Sequence, residues 1–178
     1  MNQDSLEGSA AALREEFDHA FGRRTGEGAA KPLSFLRLKA GGESLALAAS
    51  EAGELVKGRA LAALPRARPP LLGLAGLRGV LLPVFSAAAL LGRPAAGGQA
   101  APGWLVRCGG REPFALAFDE FEGLLTGFPG DLHPLSPGAG TPHARAVLRT
   151  AGLALPLISL ESVQAGLRGR VTDPINPV

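Results

Sequence analysis

The chain has 178 residues, a size that fits one ordinary domain or two very small ones that share a core. Hydrophobic residues make up 46%, which is enough for a buried core and excludes a disordered chain. The formal net charge is only +2, and no run of Lys and Arg with interleaved aromatic residues occurs, so composition argues against nucleic-acid binding.

Residues 1–32 are predicted to form an extension ahead of the main domain. Residues 12–22 fit an amphipathic helix, because Phe17 and Phe21 fall on one face, and residues 23–32 have the composition of a linker. The helix either docks on the rest of the chain or inserts into a partner's groove, and self-docking is the hypothesis we favour. No basic segment followed by an apolar one occurs here, so no signal peptide is predicted.

Two β-hairpins are predicted from alternating apolar residues on either side of a glycine pair. The first covers Leu36 to Leu55 around Gly41-Gly42, and the second covers Leu105 to Leu124 around Gly109-Gly110. Glycine pairs supply the positive φ angles of tight hairpin turns, and the alternation gives each strand one buried face.

The hairpins begin an internal repeat. Aligned on their second strands, they match Leu45 with Phe114, a spacing of 69 residues. A second pair of motifs, Leu82 to Gly92 and Leu155 to Gly166, follows in the same order at a spacing of 73. The two near-equal spacings indicate a duplicated unit made mostly of short strands, a pattern typical of small barrels or sandwiches.

In each copy of the second motif an apolar strand ends at a serine, Ser86 or Ser159. Either serine is predicted to cap a short helix, with Gly92 or Gly166 as its stop. Because each unit is too small to bury much on its own, we expect the two to pack around a shared core.

Residues 69–92 are long and apolar enough to imitate a membrane span, with Arg78 as their one charged residue. Prolines and glycines interrupt the segment, and Arg78 would lie near the middle of the bilayer, where a charge is costly. We therefore predict buried strands broken by turns and no direct membrane insertion.

No motif of catalysis, metal binding or cofactor binding is found, so we predict neither an enzyme nor a cofactor. Cys108 leaves no internal disulfide, fits a reducing compartment and is predicted to be a small strand residue rather than a nucleophile. His133 and His143 are predicted to be surface residues. Asp119 and Glu120 point to opposite sides of an extended segment, and Asp119 is predicted to cap the next turn.

Several motifs follow one another in a specific order. In the first half these are Glu54-Leu55, Pro65, Pro69-Pro70, Gly73, Ala75-Gly76-Leu77-Arg78-Gly79 and Leu82-Pro83-Val84-Phe85-Ser86. In the second half Phe118-Asp119-Glu120-Phe121 ends a strand. From Ser34 to about Gly166 the sequence thus resembles the CheW-like domain family, adaptors that couple chemoreceptors to the histidine kinase CheA.

The resemblance implies a mainly β fold of two packed SH3-like five-stranded barrels with a few short helices. On this interpretation residues 33–178 form the CheW-like domain, whose two similar halves cover about 33–92 and 103–166. It also implies a non-enzymatic scaffold in the cytoplasm, associated with receptor arrays. Its partners would be a chemoreceptor signalling tip and the regulatory domain of a CheA-type kinase.

The family's partner-binding surface maps by this resemblance onto Ala52, Glu54, Leu55, Leu72, Gly73 and Arg78. It implies that Arg78 is exposed and pairs with Glu54, whereas an isolated surface ion pair would add only a fraction of a kcal/mol to stability. For Leu55 and Leu72 burial in the core is an equal alternative. Gly73 alternatively serves a turn.

Two residues depart from the family pattern. Gly76 replaces the asparagine before Leu-Arg-Gly, and Ser86 replaces the aspartate after Pro-Val. Glycine and asparagine both tolerate left-handed backbone, so a turn role is expected to survive without the side-chain hydrogen bond. The departures leave open a diverged adaptor for motility or developmental signalling that binds no kinase. A small-barrel nucleic-acid binder is a third alternative, opposed by weak charge clustering and by a single Trp with no Tyr.

Overall fold

The computed structural model describes residues 30–65, 67–94, 102–109, 112–136 and 140–171, with side chains as far as residue 168. The helix expected over residues 12–22 lies outside the described residues. Residues 32–178 form one unit, and the fold below is that of this unit.

The described strands follow the alternation of apolar residues seen in the sequence. In chain order they are β1 (Leu33–Ala40), β2 (Glu43–Ala48), β3 (Ala52–Lys57), β4 (Leu71–Leu77), β5 (Val80–Ser86), β6 (Trp104–Cys108), β7 (Phe114–Phe118), β8 (Glu120–Gly127), β9 (Leu132–Pro134), β10 (Ala144–Thr150) and β11 (Leu153–Ile158). The described α-helices are α1 (Ala87–Leu90), which follows β5, and α2 (Leu160–Val171), which follows β11, and single 3-10 turns lie at Ala49–Glu51 and Pro129–Asp131. The mainly β prediction is confirmed.

These strands form two sheets within the described residues. One has six strands in the order β8-β1-β2-β11-β10-β9, and the other has five in the order β3-β6-β7-β5-β4. The described strands begin in the six-stranded sheet with β1 and β2, cross to the five-stranded sheet for β3 to β7, and return for β8 to β11. The sheets therefore do not coincide with the expected halves, 33–92 and 103–166, because each half contributes strands to both. The exchange gives β2 and β7 a hydrogen-bonded neighbour on either side, which a separate half would not supply.

The repeat in the sequence is also a repeat in strand pairing. Leu55 of β3 pairs with Val106 of β6, and Leu124, which lies 69 residues after Leu55, pairs with Leu36 of β1. The parallel contacts correspond in the same way, since β5 pairs with β7 and β11 pairs with β2. Each sheet is thus built from equivalent strands of the two repeats.

The first predicted hairpin turn is confirmed, because Gly41 and Gly42 have φ angles of 59° and 83° and directly join β1 to β2. The second hairpin has a longer connection than predicted. β6 ends at Cys108 and β7 begins at Phe114, so the connection extends beyond the glycine pair. Gly110 lies outside the described residues.

Buried apolar side chains form one cluster within each sheet and one between the sheets, as judged from the described residues. Phe35 belongs to the cluster of the six-stranded sheet and Leu105 to that of the five-stranded sheet. The cluster between them combines Leu47 of β2 with Leu116 of β7 and Val163 of α2. Burial of apolar side chains is the main stabilising contribution to a small domain. The cluster between the sheets is the shared core that was expected because each repeat is too small to bury much on its own.

Both serine caps are present. Ser86 Oγ accepts a hydrogen bond from Ala89 N at 3.2 Å, and Ser159 Oγ accepts one from Ser162 N at 3.2 Å. Gly92 follows α1 with a φ of 70°, as expected of a stop signal. The prediction for Gly166 is wrong, since α2 continues to Val171. A Cβ at Gly166 would lie 2.9 Å from Cε1 of His143, so glycine permits close packing there instead.

Asp119 stands alone between β7 and β8, so no turn follows it for its side chain to cap, and that prediction is wrong. Its carboxylate accepts a hydrogen bond from Gly41 N at 2.7 Å, and its own backbone N donates to Lys39 O at 2.8 Å. Asp119 therefore fixes the crossover from β7 to β8 against the first hairpin.

Neither of the described helices combines the length and apolar composition that crossing a bilayer would require.

Candidate partner-binding surface

The β4–β5 hairpin ends in a two-residue turn formed by Arg78 and Gly79. Leu77 pairs with Val80 on either side of it, and the φ angles of Arg78 and Gly79 are 47° and 77°. Two positive φ angles are the requirement of the tight turn that matches the twist of a hairpin. Glycine meets it freely at the second position, whereas a side chain at the first costs about 1 kcal/mol.

Arg78 forms an ion pair with Glu54 of β3. Arg78 Nε lies 3.2 Å from Glu54 Oε2, and the two side chains are 76% and 26% exposed. No described residue donates a hydrogen bond to this carboxylate oxygen, so the contact is electrostatic rather than an aligned hydrogen bond. Because the guanidinium is mostly in solvent, the pair adds at most a fraction of a kcal/mol to stability and leaves most of the arginine's donors facing outward.

A second arginine, which sequence analysis missed, contacts the same hairpin. Arg59 lies two residues past the end of β3, and its Nε and Nη2 donate to Gly76 O at 3.2 and 3.1 Å. Gly76 is in β4, two residues before Arg78. Arg59 belongs to an irregular segment with no periodic pattern and to no motif, so nothing in the sequence signalled it.

The remaining residues predicted for the surface lie in and beneath this region. Ala52 and Leu55 are half-buried and pack against the core between the sheets, and Leu72 is half-buried against the cluster of the five-stranded sheet. Gly73 is buried, and a Cβ there would lie 2.5 Å from Ala62 O. Within the predicted set, the structure thus brings Glu54 and Arg78 together at the surface, leaves Ala52, Leu55 and Leu72 half-buried and buries Gly73.

Gly76 does not have the turn role expected for it. It is an exposed strand residue outside the left-handed region, and a Cβ built on it would have no neighbour within 4 Å. The left-handed positions are occupied by Arg78 and Gly79 instead. A methyl group at position 76 would therefore extend into open space.

Two large apolar residues follow the turn and are exposed. Val80 is 45% and Leu81 is 62% accessible. Sequence analysis missed both, because they stand between the Leu-Arg-Gly and Pro-Val motifs and belong to neither. We call residues 78–81 the hairpin tip: an arginine and a glycine in the turn, followed by two exposed apolar side chains.

The described residues contain no group of three or more His, Cys, Asp or Glu side chains placed to hold a metal ion. Cys108 is buried, and this burial raises the pKa of its thiol far above the usual range, with the nearby charge of Glu51 adding to the effect. Such a thiol is protonated at neutral pH and is a poor nucleophile.

The family model for the CheW-like domain matches residues 34–166. The chain belongs to the CheW-like domain family. Its fold matches the crystal structure of the scaffolding protein TtCheW from Thermoanaerobacter tengcongensis with a TM-score of 0.65 and 16% sequence identity. The match covers 72% of this chain and 90% of that chain. No curated protein matches the sequence.

Proposed function

We propose that this protein is a non-enzymatic coupling protein, which bridges the signalling tip of a chemoreceptor and the regulatory domain of a CheA-type histidine kinase. Membership of the CheW-like domain family supports this function, and so does the fold shared with a scaffolding protein. The observation that carries the proposal is Arg78, an exposed arginine at a strained turn beside Glu54 and followed by exposed Val80 and Leu81.

This arrangement suits binding of another protein. Arginine is enriched among the residues that dominate interface energies, because it combines apolar contact area with several directed hydrogen-bond donors. A turn of defined geometry restricts the backbone beneath Arg78, so less conformational entropy is lost when its side chain is fixed by a partner. Burial of Val80 and Leu81 would add an apolar contribution next to the charge.

We assign Ala52, Leu55, Leu72 and Gly73 to the same surface as supporting residues. Their half-buried or buried positions hold β3 and β4 beneath Glu54 and Arg78. Coupling itself requires no chemistry on this chain. The protein would hold the kinase in a geometry that the receptor biases, through contacts that differ between two signalling states. Its place would be in the cytoplasm, at receptor arrays.

The test is a binding measurement with purified full-length protein and two separate probes: a chemoreceptor cytoplasmic fragment and a CheA-type regulatory domain. Arg78→Ala is expected to weaken binding of the receptor fragment about tenfold or more, as for a central interface arginine. The matched control is Arg149→Ala, which removes an exposed arginine from β10 in the other sheet. Equal affinities for the two variants would contradict the assignment of Arg78.

The same measurement separates the alternative adaptor. If the unsubstituted protein binds the receptor fragment but not the kinase domain, it is a diverged adaptor that serves another pathway. If it binds neither probe, the coupling function is wrong.

A further inference from the structure

We propose that Arg59 is a positioning residue of the partner-binding surface. By holding the carbonyl of Gly76 it would fix the β4–β5 hairpin relative to β3, and so determine where Arg78 presents its guanidinium. The part of this inference that concerns partner binding rests on the coupling function proposed above, whereas the part that concerns the hairpin does not.

The geometry that supports this role is a seam between two outer strands. β3 and β4 are the first and last strands in the order of the five-stranded sheet, and no backbone ladder joins them. Among the residues that the structure describes, two side-chain contacts cross the seam: Arg59 to Gly76 O, and Glu54 to Arg78. Because Gly76 and Arg78 are two residues apart in one hairpin, a change at the first contact alters the position of the second.

The edge of β4 explains why the carbonyl of Gly76 is accessible. Leu74 exchanges two backbone hydrogen bonds with Ala62, with N to O distances of 2.8 and 2.9 Å, and this bridge covers the preceding part of the edge. Gly76 is the next residue of β4 on the same edge, since backbone groups alternate between the two edges of a strand. Arg59 therefore continues the cover that Ala62 begins, and it also hinders pairing of a foreign strand there.

The other sheet provides an internal comparison. The repeat matches Glu54 with Gly123 and Arg59 with Phe128, by the spacing of 69, and Arg78 with Ala151, by the spacing of 73. The turn has the same backbone in both sheets, because Ala151 and Gly152 have φ angles of 50° and 75°.

The equivalent seam in that sheet lies between β8 and β10. It is joined by a neutral contact, a hydrogen bond of 3.0 Å from Thr150 Oγ1 to Thr126 O. Such a seam thus forms with Phe128 at the position that matches Arg59 and, within the described residues, without a charged pair across it. The charged contacts occur where the hairpin carries Arg78. This difference favours a role for Arg59 at the hairpin tip over a general role in closing the fold.

The role also requires arginine rather than any cation. Both Nε and Nη2 donate to one carbonyl oxygen, which a planar guanidinium achieves with its fixed fork and a lysine ammonium does not. Lysine at position 59 would keep the charge but lose the paired donors. Comparison of Arg59→Lys with Arg59→Ala therefore separates the effect of the paired hydrogen bonds from that of the charge alone.

The first test is amide hydrogen exchange on the full-length protein without any partner. Arg59→Ala is expected to speed exchange of the paired amides of Leu77 and Val80, which close the turn, about fivefold, since two hydrogen bonds to a charged donor are lost. Peptides from the buried strands β6 and β7 should be unchanged. Arg68→Ala, which removes an exposed arginine from the same segment, is the matched control and should leave exchange at these two amides unchanged. Unaltered exchange at Leu77 and Val80 in Arg59→Ala would overturn the proposal that Arg59 holds the hairpin, and so would full protection in Arg59→Lys.

The second test is affinity for a chemoreceptor cytoplasmic fragment, measured as a double-mutant cycle. Arg59→Ala should weaken binding about threefold, and Arg59→Ala combined with Arg78→Ala should bind no more weakly than Arg78→Ala alone. Additive losses would show that Arg59 does not act through Arg78 and would overturn the positioning role. If the unsubstituted protein does not bind the fragment, the coupling function fails with it, while the exchange measurement still decides whether Arg59 holds the hairpin.

Discussion

Arg78 and Glu54 face each other across the seam between the β4–β5 turn and β3, with 3.2 Å between Nε of the arginine and Oε2 of the glutamate. The contact adds little to stability because the guanidinium is 76% exposed. In the proposed function the contact orients Arg78, whose backbone is already constrained by a positive φ. The first prediction separates these two properties of Arg78.

Arg78→Gly is expected to stabilise the fold by about 0.5 kcal/mol, because glycine removes the left-handed strain but raises the entropy of the unfolded chain. Receptor-fragment binding should nevertheless fall as much as in Arg78→Ala, since both variants lack the guanidinium. Urea unfolding measures the change in stability, and a binding titration measures the change in affinity for the receptor fragment. A glycine variant that is less stable than the unsubstituted protein would contradict the strained turn.

Two glycines of β4 should respond in opposite ways to alanine. Gly73→Ala is expected to destabilise the protein by about 2 kcal/mol, because its Cβ would lie 2.5 Å from the backbone oxygen of Ala62. Gly76→Ala should be neutral or stabilising by about 0.5 kcal/mol, since the added methyl group meets open space. Equilibrium unfolding in denaturant measures both. Equal effects would contradict the close approach at Gly73.

Ser86→Ala is expected to destabilise the protein by about 1 kcal/mol, because the hydroxyl caps α1 through Ala89 N and is buried at the end of β5. Ser86→Gly should recover part of this loss, as glycine is tolerated at helix N-caps. Thermal unfolding of the two variants provides the comparison. An alanine variant as stable as the unsubstituted protein would show that the cap is dispensable.

The buried thiol of Cys108 is expected to make the stability of the protein depend on pH. Burial raises the pKa of its thiol in the folded protein, so the folded state holds that proton more tightly than the unfolded chain. This contribution to stability is complete below the pKa of an unfolded cysteine, about 8.5, and declines as the pH rises above it.

The measurement is the free energy of unfolding between pH 7 and pH 10, with Cys108→Ala as the control. The unsubstituted protein should lose more stability over this range than the alanine variant. In the folded protein the thiol should also resist alkylation at pH 8 until denaturant is added. Rapid alkylation under native conditions would contradict its burial.

Strands, turns and helix caps could be predicted from local sequence patterns because these elements depend on interactions between residues close in the chain. The alternation around Gly41-Gly42 specifies a hairpin, and Ser86 specifies a helix cap, through contacts within a few residues. The exchange of strands between the repeats depends instead on pairing across long separations, such as Leu55 with Val106. No local period encodes that choice, so the sequence suggested one barrel for each half.

The residues of the candidate site also fall into two groups, those that the sequence predicted and those that only the structure revealed. Glu54 and Arg78 were found because they stand in motifs that the family shares. Arg59, Val80 and Leu81 were not, because their roles arise only when the β4–β5 hairpin lies beside β3. Gly166 was wrongly predicted to end a helix for a similar reason. Glycine is needed there for close packing against His143, and a contact between residues so far apart in the chain leaves no local pattern.

Reconstituted kinase activity tests the coupling function most directly. Membranes that contain a chemoreceptor are combined with a CheA-type kinase, and autophosphorylation is measured with this protein, with Arg78→Ala or with Arg149→Ala. The unsubstituted protein and the Arg149 variant should both stimulate the kinase in a receptor-dependent manner, and the Arg78 variant should do so several-fold less at an equal unfolding temperature. Kinase activity that does not respond to the folded, unsubstituted protein would contradict the coupling function.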